Sequence, residues 1–110
     1  MKEQIISMKS DFFKALAHPT RVRILEQLAK SEEEVCVCEL IDHLGIEQSN
    51  LSQHLSILRK QQIIVSTKVG LKVMYRIKYP EVLIILDKVQ EILGQQFKEG
   101  EALMRHLAEQ

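Results

Sequence analysis

At 110 residues and 45% hydrophobic the chain is sized for one domain, and no linker or low-complexity stretch divides it. Fifteen Lys+Arg against fifteen Asp+Glu give a net charge of +0, which excludes the uniformly basic surface of a purely charge-driven nucleic-acid binder. No apolar run approaches the roughly 20 residues that span a bilayer. The segment MKEQIISMKSDFF has neither the apolar stretch nor the cleavage site of a signal peptide, so a cytoplasmic protein without membrane attachment is expected.

From Glu3 to Leu16 the apolar residues Ile5, Met8, Phe12, Phe13 and Leu16 recur at helical spacing. Ala17-His18-Pro19-Thr20 then breaks and restarts the helix, with Pro19 at a favourable first-turn position and His18 read as a capping or packing residue. A second helix is predicted from about Thr20 to Lys30, with Val22, Leu25 and Leu28 as its buried stripe. Arg21 and Arg23 are read as solvated or internally salt-bridged in preference to reaching a DNA backbone.

The run from Cys36 to Arg59 carries most of the information. Leu40, Ile41 and Leu44 fall at helical spacing, and Gly45 supplies a left-handed stop. A second series, Leu51, Leu55 and Leu58, then begins, so two helices meet at a tight turn. The second helix turns Gln48, Ser49, Ser52, Gln53, Ser56 and Arg59 outward, with Asn50 and His54 on its flanks. That face holds amide and hydroxyl groups that can pair with base edges and phosphates, and it holds no acid. Ile63 to Thr67 and Val73 to Ile77 read as strands, and Val69-Gly70-Leu71 between them as a hairpin turn. A hairpin in this place is a wing, with Lys68 and Lys72 flanking its tip and Arg76 and Lys78 on the return strand, all suited to phosphate contacts.

Charge is distributed to match. Between Ile46 and Tyr79 six basic residues face one acid, Glu47, a net +5 that leaves −5 for the rest of the chain. A positive field where DNA would lie, with acidic residues elsewhere, orients docking. After Pro80 the series Val82, Ile85, Leu86, Val89, Ile92 and Leu93, continued by Phe97, Leu103, Met104 and Leu107, is more apolar than a lone terminal helix needs. A second copy of the chain is the natural cover, and a dimer presents two recognition helices to an inverted repeat in double-stranded DNA. Gly94 and Gly100 suggest a kink or break in this helix. The expected architecture is mainly α with a small β-hairpin: one winged helix-turn-helix domain over residues 1–110, dimerising through terminal helices at 1–17 and 80–108.

The strings FKALAHPTRVRILEQL, CVCEL, SNLSQHLSILRKQQII and VMYRI, in this order, resemble the ArsR/SmtB family of bacterial winged helix-turn-helix repressors, over nearly the whole chain. The resemblance implies a homodimer that binds an operator upstream of resistance or homeostasis genes and is released by an inducer. It also implies that the terminal helices pair the protomers and that Gln48 to Lys60 enters the major groove. Members that sense arsenite or antimonite, and some that sense cadmium or lead, carry Cys-Val-Cys before the recognition helix, and Cys36-Val37-Cys38 matches that position.

Soft ions prefer thiolate, and Cys38, just before Glu39-Leu40-Ile41, sits where Ser or Thr usually caps a helix, so the helix N-terminus favours its ionised form. The pair is expected as reduced thiols or metal ligands and not as a structural disulfide. A third thiol is missing: Ile41 occupies the place where arsenic sensors often have it, and no cysteine lies in the N-terminal arm. Asp42, one turn after Cys38, is the first candidate to complete a site, with Glu39, His18 and His43 behind it. The alternative zinc site on the terminal helix needs paired Asp/His ligands, and the sequence offers His106 there without a second such ligand residue at the required spacing. Three readings stay open: a thiolate site for As(III), Sb(III) or a soft divalent ion such as Cd, Zn or Pb; a thiol redox or persulfide sensor; and an inert motif. No obligatory cofactor is expected.

An enzyme is not expected, because Cys-x-x-Cys, a βαβ pattern, a Gly-rich phosphate loop and a supported Ser/His/Asp set are all missing. A winged helix that binds only protein is opposed by the +5 segment.

Overall fold

The computed structural model describes residues 1–109. Its elements are α1 (Lys2–Leu16), α2 (Pro19–Ala29), β1 (Val35–Cys36), α3 (Val37–Leu44), α4 (Gln48–Lys60), β2 (Ile64–Val69), β3 (Lys72–Ile77) and α5 (Glu81–Ala108). They form two units, Met1–Tyr79 and the segment from Pro80 onward.

In the first unit each boundary has a local cause. His18, extended at φ −152°, accepts the Thr20 N–H on Nδ1 at 3.1 Å, and Pro19 follows at the first helical position, where its missing N–H costs nothing. Gly45 ends α3 at φ +64°, and its N–H closes on the Ile41 carbonyl at 2.9 Å. The end of α4 is a Schellman turn: Ile63 N–H reaches the Leu58 carbonyl at 3.0 Å and Gln62 N–H the Arg59 carbonyl at 2.9 Å. Gln62 takes the left-handed position there, at φ +58°. This turn aims the chain from α4 straight into the hairpin, and Leu58 and Ile63, the apolar pair that accompanies it, are both buried. A glycine suits that backbone better, so Gln62→Gly should raise stability by up to about 1 kcal/mol in chemical denaturation, less what the Lys78–Gln62 hydrogen bond contributes.

The core joins Ala15 and Leu16 of α1, Ile24, Leu25 and Leu28 of α2, Leu40 of α3, and Leu51, Leu55 and Leu58 of α4 to Val35, Ile63, Ile64 and Tyr75. Ile24 belongs to the buried stripe of α2, while Val22 is only half-buried. The sheet has three antiparallel strands in the order β1-β3-β2, and β1 has no counterpart among the elements expected from the sequence. Val35 pairs with Tyr75 and Cys36 with Met74, which places β3 in the centre. The hairpin register runs from Ile64 opposite Ile77 to Val69 opposite Lys72, leaving the two-residue turn Gly70-Leu71 with positive φ at Gly70. That is the turn a right-twisted two-strand ribbon favours.

In the second unit α5 runs unbroken from Glu81 to Ala108 through Gly94 and Gly100, so the expected break is not found. Ile84, Val89, Ile92, Leu93, Phe97, Leu103, Met104 and Leu107 are exposed along it. No helix among the described residues is long and apolar enough to cross a membrane.

Candidate nucleic-acid interface and thiol pair

The α3–Gly45–α4 turn anchors α4 by its leucines and leaves the other side of the helix open. Leu51, Leu55 and Leu58 are at most 2% exposed, whereas Gln48, Ser49, Asn50, Ser52, Gln53, Ser56, Arg59 and Lys60 all reach solvent. The outward face is therefore the polar, acid-free one. Two bases lie in the last turn of α4, Arg59 and Lys60, where they also complement the helix dipole.

His54 departs from its expected place on the flank of this face. It is 8% exposed, and its Nδ1 accepts from the Arg21 guanidinium at 3.1 Å. Its ring lies 4.4 Å, centroid to centroid, from that of His18. The reason is phase: His54 falls with Leu51, Leu55 and Leu58 on the inward side of the helix. Arg21 shares that logic on α2, in phase with Ile24, Leu25 and Leu28, and is 9% exposed instead of solvated. Its charge is met by backbone: its Nε donates to the Ala15 carbonyl at 2.6 Å and a terminal nitrogen to the Lys14 carbonyl at 3.3 Å. These two carbonyls stand at the C-terminal end of α1, the negative end of its dipole. Arg23 is less deeply placed than Arg21 and reaches solvent.

Burial first, then the neighbouring His18 and the Arg21 charge, hold His54 below the ordinary histidine value. An unfolded chain then takes the proton more readily than the folded one. The His54 contribution to stability is whole above about pH 6.5 and is lost as pH falls toward the depressed folded value.

On the wing, Lys68 and Lys72 are exposed and lie on adjoining strands of the ribbon, where Lys68 pairs with Val73 and Lys72 with Val69. Leu71 at the tip is 99% exposed, a feature for which the sequence offers no signal beyond its place in the turn. The other two expected phosphate ligands have partners inside the fold. Arg76 Nε lies 3.9 Å from Glu34, and Lys78 Nζ donates to Gln62 Oε1 at 2.8 Å and sits 5.2 Å from the centre of the Tyr79 ring.

The two cysteines are brought together, but not as expected. Their sulfurs are joined in a disulfide, with Cα atoms 5.2 Å apart, in place of the expected reduced thiols or metal ligands. Cys36, not Cys38, is the N-cap of α3, and its Sγ accepts the Cys38 N–H at 3.2 Å. Cys36 is also the end of β1 and is buried, while Cys38 on the first turn of α3 is exposed. One pair of sulfurs thus touches both the helix that supports α4 and the strand that pairs with the wing. Among the described residues no three His, Cys, Asp or Glu side chains gather into a metal site. Asp42 is exposed on α3 and does not join the two sulfurs in such a group.

Residues 18–66 match the bacterial regulatory protein, arsR family. The HTH-type transcriptional regulator Rv0081 of Mycobacterium tuberculosis is 35% identical over 106 residues, covering 96% of this chain and 91% of that one. Its crystal structure superposes with a TM-score of 0.77 over 86% of this chain and 94% of its own. Reduced HlyU from Vibrio cholerae is 30% identical, with a TM-score of 0.70 over 83% of this chain and 94% of that chain. The arsenic resistance transcriptional regulator ArsR1 of Pseudomonas putida is 43% identical over 70 residues, 64% of this chain and 53% of that protein. With α3 and α4 forming the helix-turn-helix and β2 and β3 the wing, this chain is a winged helix-turn-helix transcriptional regulator of the ArsR/SmtB family.

Proposed function

We propose that this protein is a homodimeric repressor that grips an inverted-repeat operator with α4 and the wing and releases it when the Cys36–Cys38 pair changes chemical state. The observation that carries the DNA reading is the acid-free outward face of α4, with Gln48, Ser49, Asn50, Ser52, Gln53 and Arg59 all exposed beside a supporting helix. Gln53 and Asn50 are suited to read base edges, and Ser49, Ser52 and Arg59 to hold phosphates or bases. Lys68 and Lys72, near the tip of the wing, are suited to phosphate contacts. The apolar side chains exposed along α5 support pairing with a second copy.

Replacing Lys72 tests the division of labour. Lys72→Ala should weaken binding to all duplexes about equally and lower the slope of log affinity against log salt by about 1. A change in base preference, with the salt slope untouched, would contradict the assignment.

For the effector, two cysteines held within bonding reach, with Cα atoms 5.2 Å apart, support a reading of thiol oxidation. Two thiols and one peroxide give the disulfide and two waters, with no further oxidant needed, and the bond forms at the cap of α3 and the end of β1, from which both elements can be influenced. Likeness to a structure of HlyU in its reduced form makes the redox state of the pair the first variable to control in this chain. A second reading keeps As(III), Sb(III) or a soft divalent ion on the reduced pair. It is supported by the Cys-Val-Cys spacing and by the likeness to an arsenic resistance regulator. On that reading the missing third thiol is supplied from outside the chain, since Asp42 is not gathered to the sulfurs.

A further inference from the structure

The contact that fixes the inner side of α4 is polar. Arg21 reaches from α2 to the last carbonyls of α1 with two of its nitrogens and to His54 of α4 with a third, so one guanidinium ties three helices together. The bond to His54 requires an unprotonated Nδ1, because a guanidinium only donates. Nδ1 can accept only while the ring is neutral. A proton there removes the acceptor and sets an imidazolium against a guanidinium and beside a second imidazole, that of His18. His18 is itself spent as the cap of α2 through its own Nδ1.

On its other side Arg21 borders a groove of about 310 Å³, lined with Ala15, Ile57 and Gln61 and with the charged groups Asp11 and Lys14 of α1 and Lys60 of α4. They are one acid against two bases, with Arg21 a third positive charge, so the surroundings offer an imidazolium little compensation.

We propose that Arg21 and His54 are positioning residues for the DNA-reading helix, a latch that holds α4 against α1 and α2 only while the His54 imidazole is neutral. Mild acid opens the latch and weakens operator binding independently of the cysteines. This rests on the reading of α4 as the DNA-contacting helix. Neither residue touches DNA; both act by setting where Gln53 and its neighbours stand.

The test compares the wild-type protein with His54→Asn, whose Oδ1 stands where Nδ1 does and accepts from Arg21 at every pH. The probe is the duplex that wild-type protein enriches from a random-sequence pool. Between about pH 7.5 and 5.5 wild type should lose about fivefold or more in affinity, while His54→Asn stays within about twofold. Parallel losses in the two proteins would overturn the proposal. NMR on wild type without DNA supplies a second arm, which holds even where the variant does not fold or no duplex is enriched. The backbone amides of α4 should shift with the same midpoint as the His54 ring, and α4 amides that ignore that midpoint would overturn the latch. Failure to enrich a duplex, with the amide shifts present, would overturn the DNA reading and leave the latch standing.

Discussion

Serine at both Cys36 and Cys38 should leave operator affinity nearly unchanged and abolish release by peroxide and by arsenite alike. The substitution is mild for the fold. Ser is a good N-cap, and its Oγ can accept the residue-38 N–H as the Cys36 sulfur does at 3.2 Å, so α3 keeps its start. What disappears is the chemistry that couples the two positions. In the unmodified protein the pair sits at the α3 cap and at the Cys36↔Met74 end of the β1–β3 ladder, so on the proposed reading a bond or a soft ion spanning the sulfurs has both within reach. The first leads to α4 through the Gly45 turn and the second to the wing. A coupling of about 1–3 kcal/mol, or roughly 5–150-fold in affinity, is the size such a switch commands. The check is fluorescence anisotropy on a bound duplex titrated with each agent in the wild-type and doubly substituted proteins. Release that persists in the double variant would remove the cysteines from the mechanism. The order of the wild-type responses also separates the two effector readings: peroxide acting without any ion supports oxidation, and arsenite acting under reducing conditions supports an ion.

Gln53→Ala should narrow the gap between the best duplex and single-base variants at one position by about 1–3 kcal/mol, the worth of a bidentate amide–base pair. Gln53 is exposed on the outward side of α4, away from the leucines that anchor the helix, so its removal leaves the helix intact. Competition with a panel of single-substituted duplexes measures it. Uniform weakening across the panel would reassign Gln53 to the backbone, where a contact holds register without reading sequence.

The sequence is most legible where periodicity and punctuation agree. Gln48 to Lys60 can be bounded because three leucines at helical spacing lie between a glycine turn and a β-branched run, and the hairpin because Gly70 divides two such runs. Arg21 and His54 are less legible, although their spacing from Ile24, Leu28, Leu51 and Leu58 puts them in the buried phase. Residue type argues for the surface, and an arginine that ends on backbone carbonyls leaves no complementary acid in the sequence to betray it. β1 is hidden because two residues carry no period; its pairing with β3 is a long-range contact that no local pattern encodes. The same strand decides the cysteines. With Cys36 at the end of β1, it becomes the cap of α3 in place of Cys38, the cysteine that local helix spacing joins to Asp42. The glycines of α5 mislead in the other direction, since a helix loses only about 1 kcal/mol at each and remains continuous.

The central claim, that α4 and the wing form a DNA-binding face on a chain of net charge +0, is tested most directly by salt. Binding of the reduced protein to its enriched duplex would be followed by anisotropy from about 50 to 200 mM salt, beside a scrambled duplex of equal length. Steep loss of affinity on both duplexes, with the enriched one bound far more tightly throughout, is the predicted result. Salt-insensitive binding, or equal affinity for the two duplexes, would contradict it.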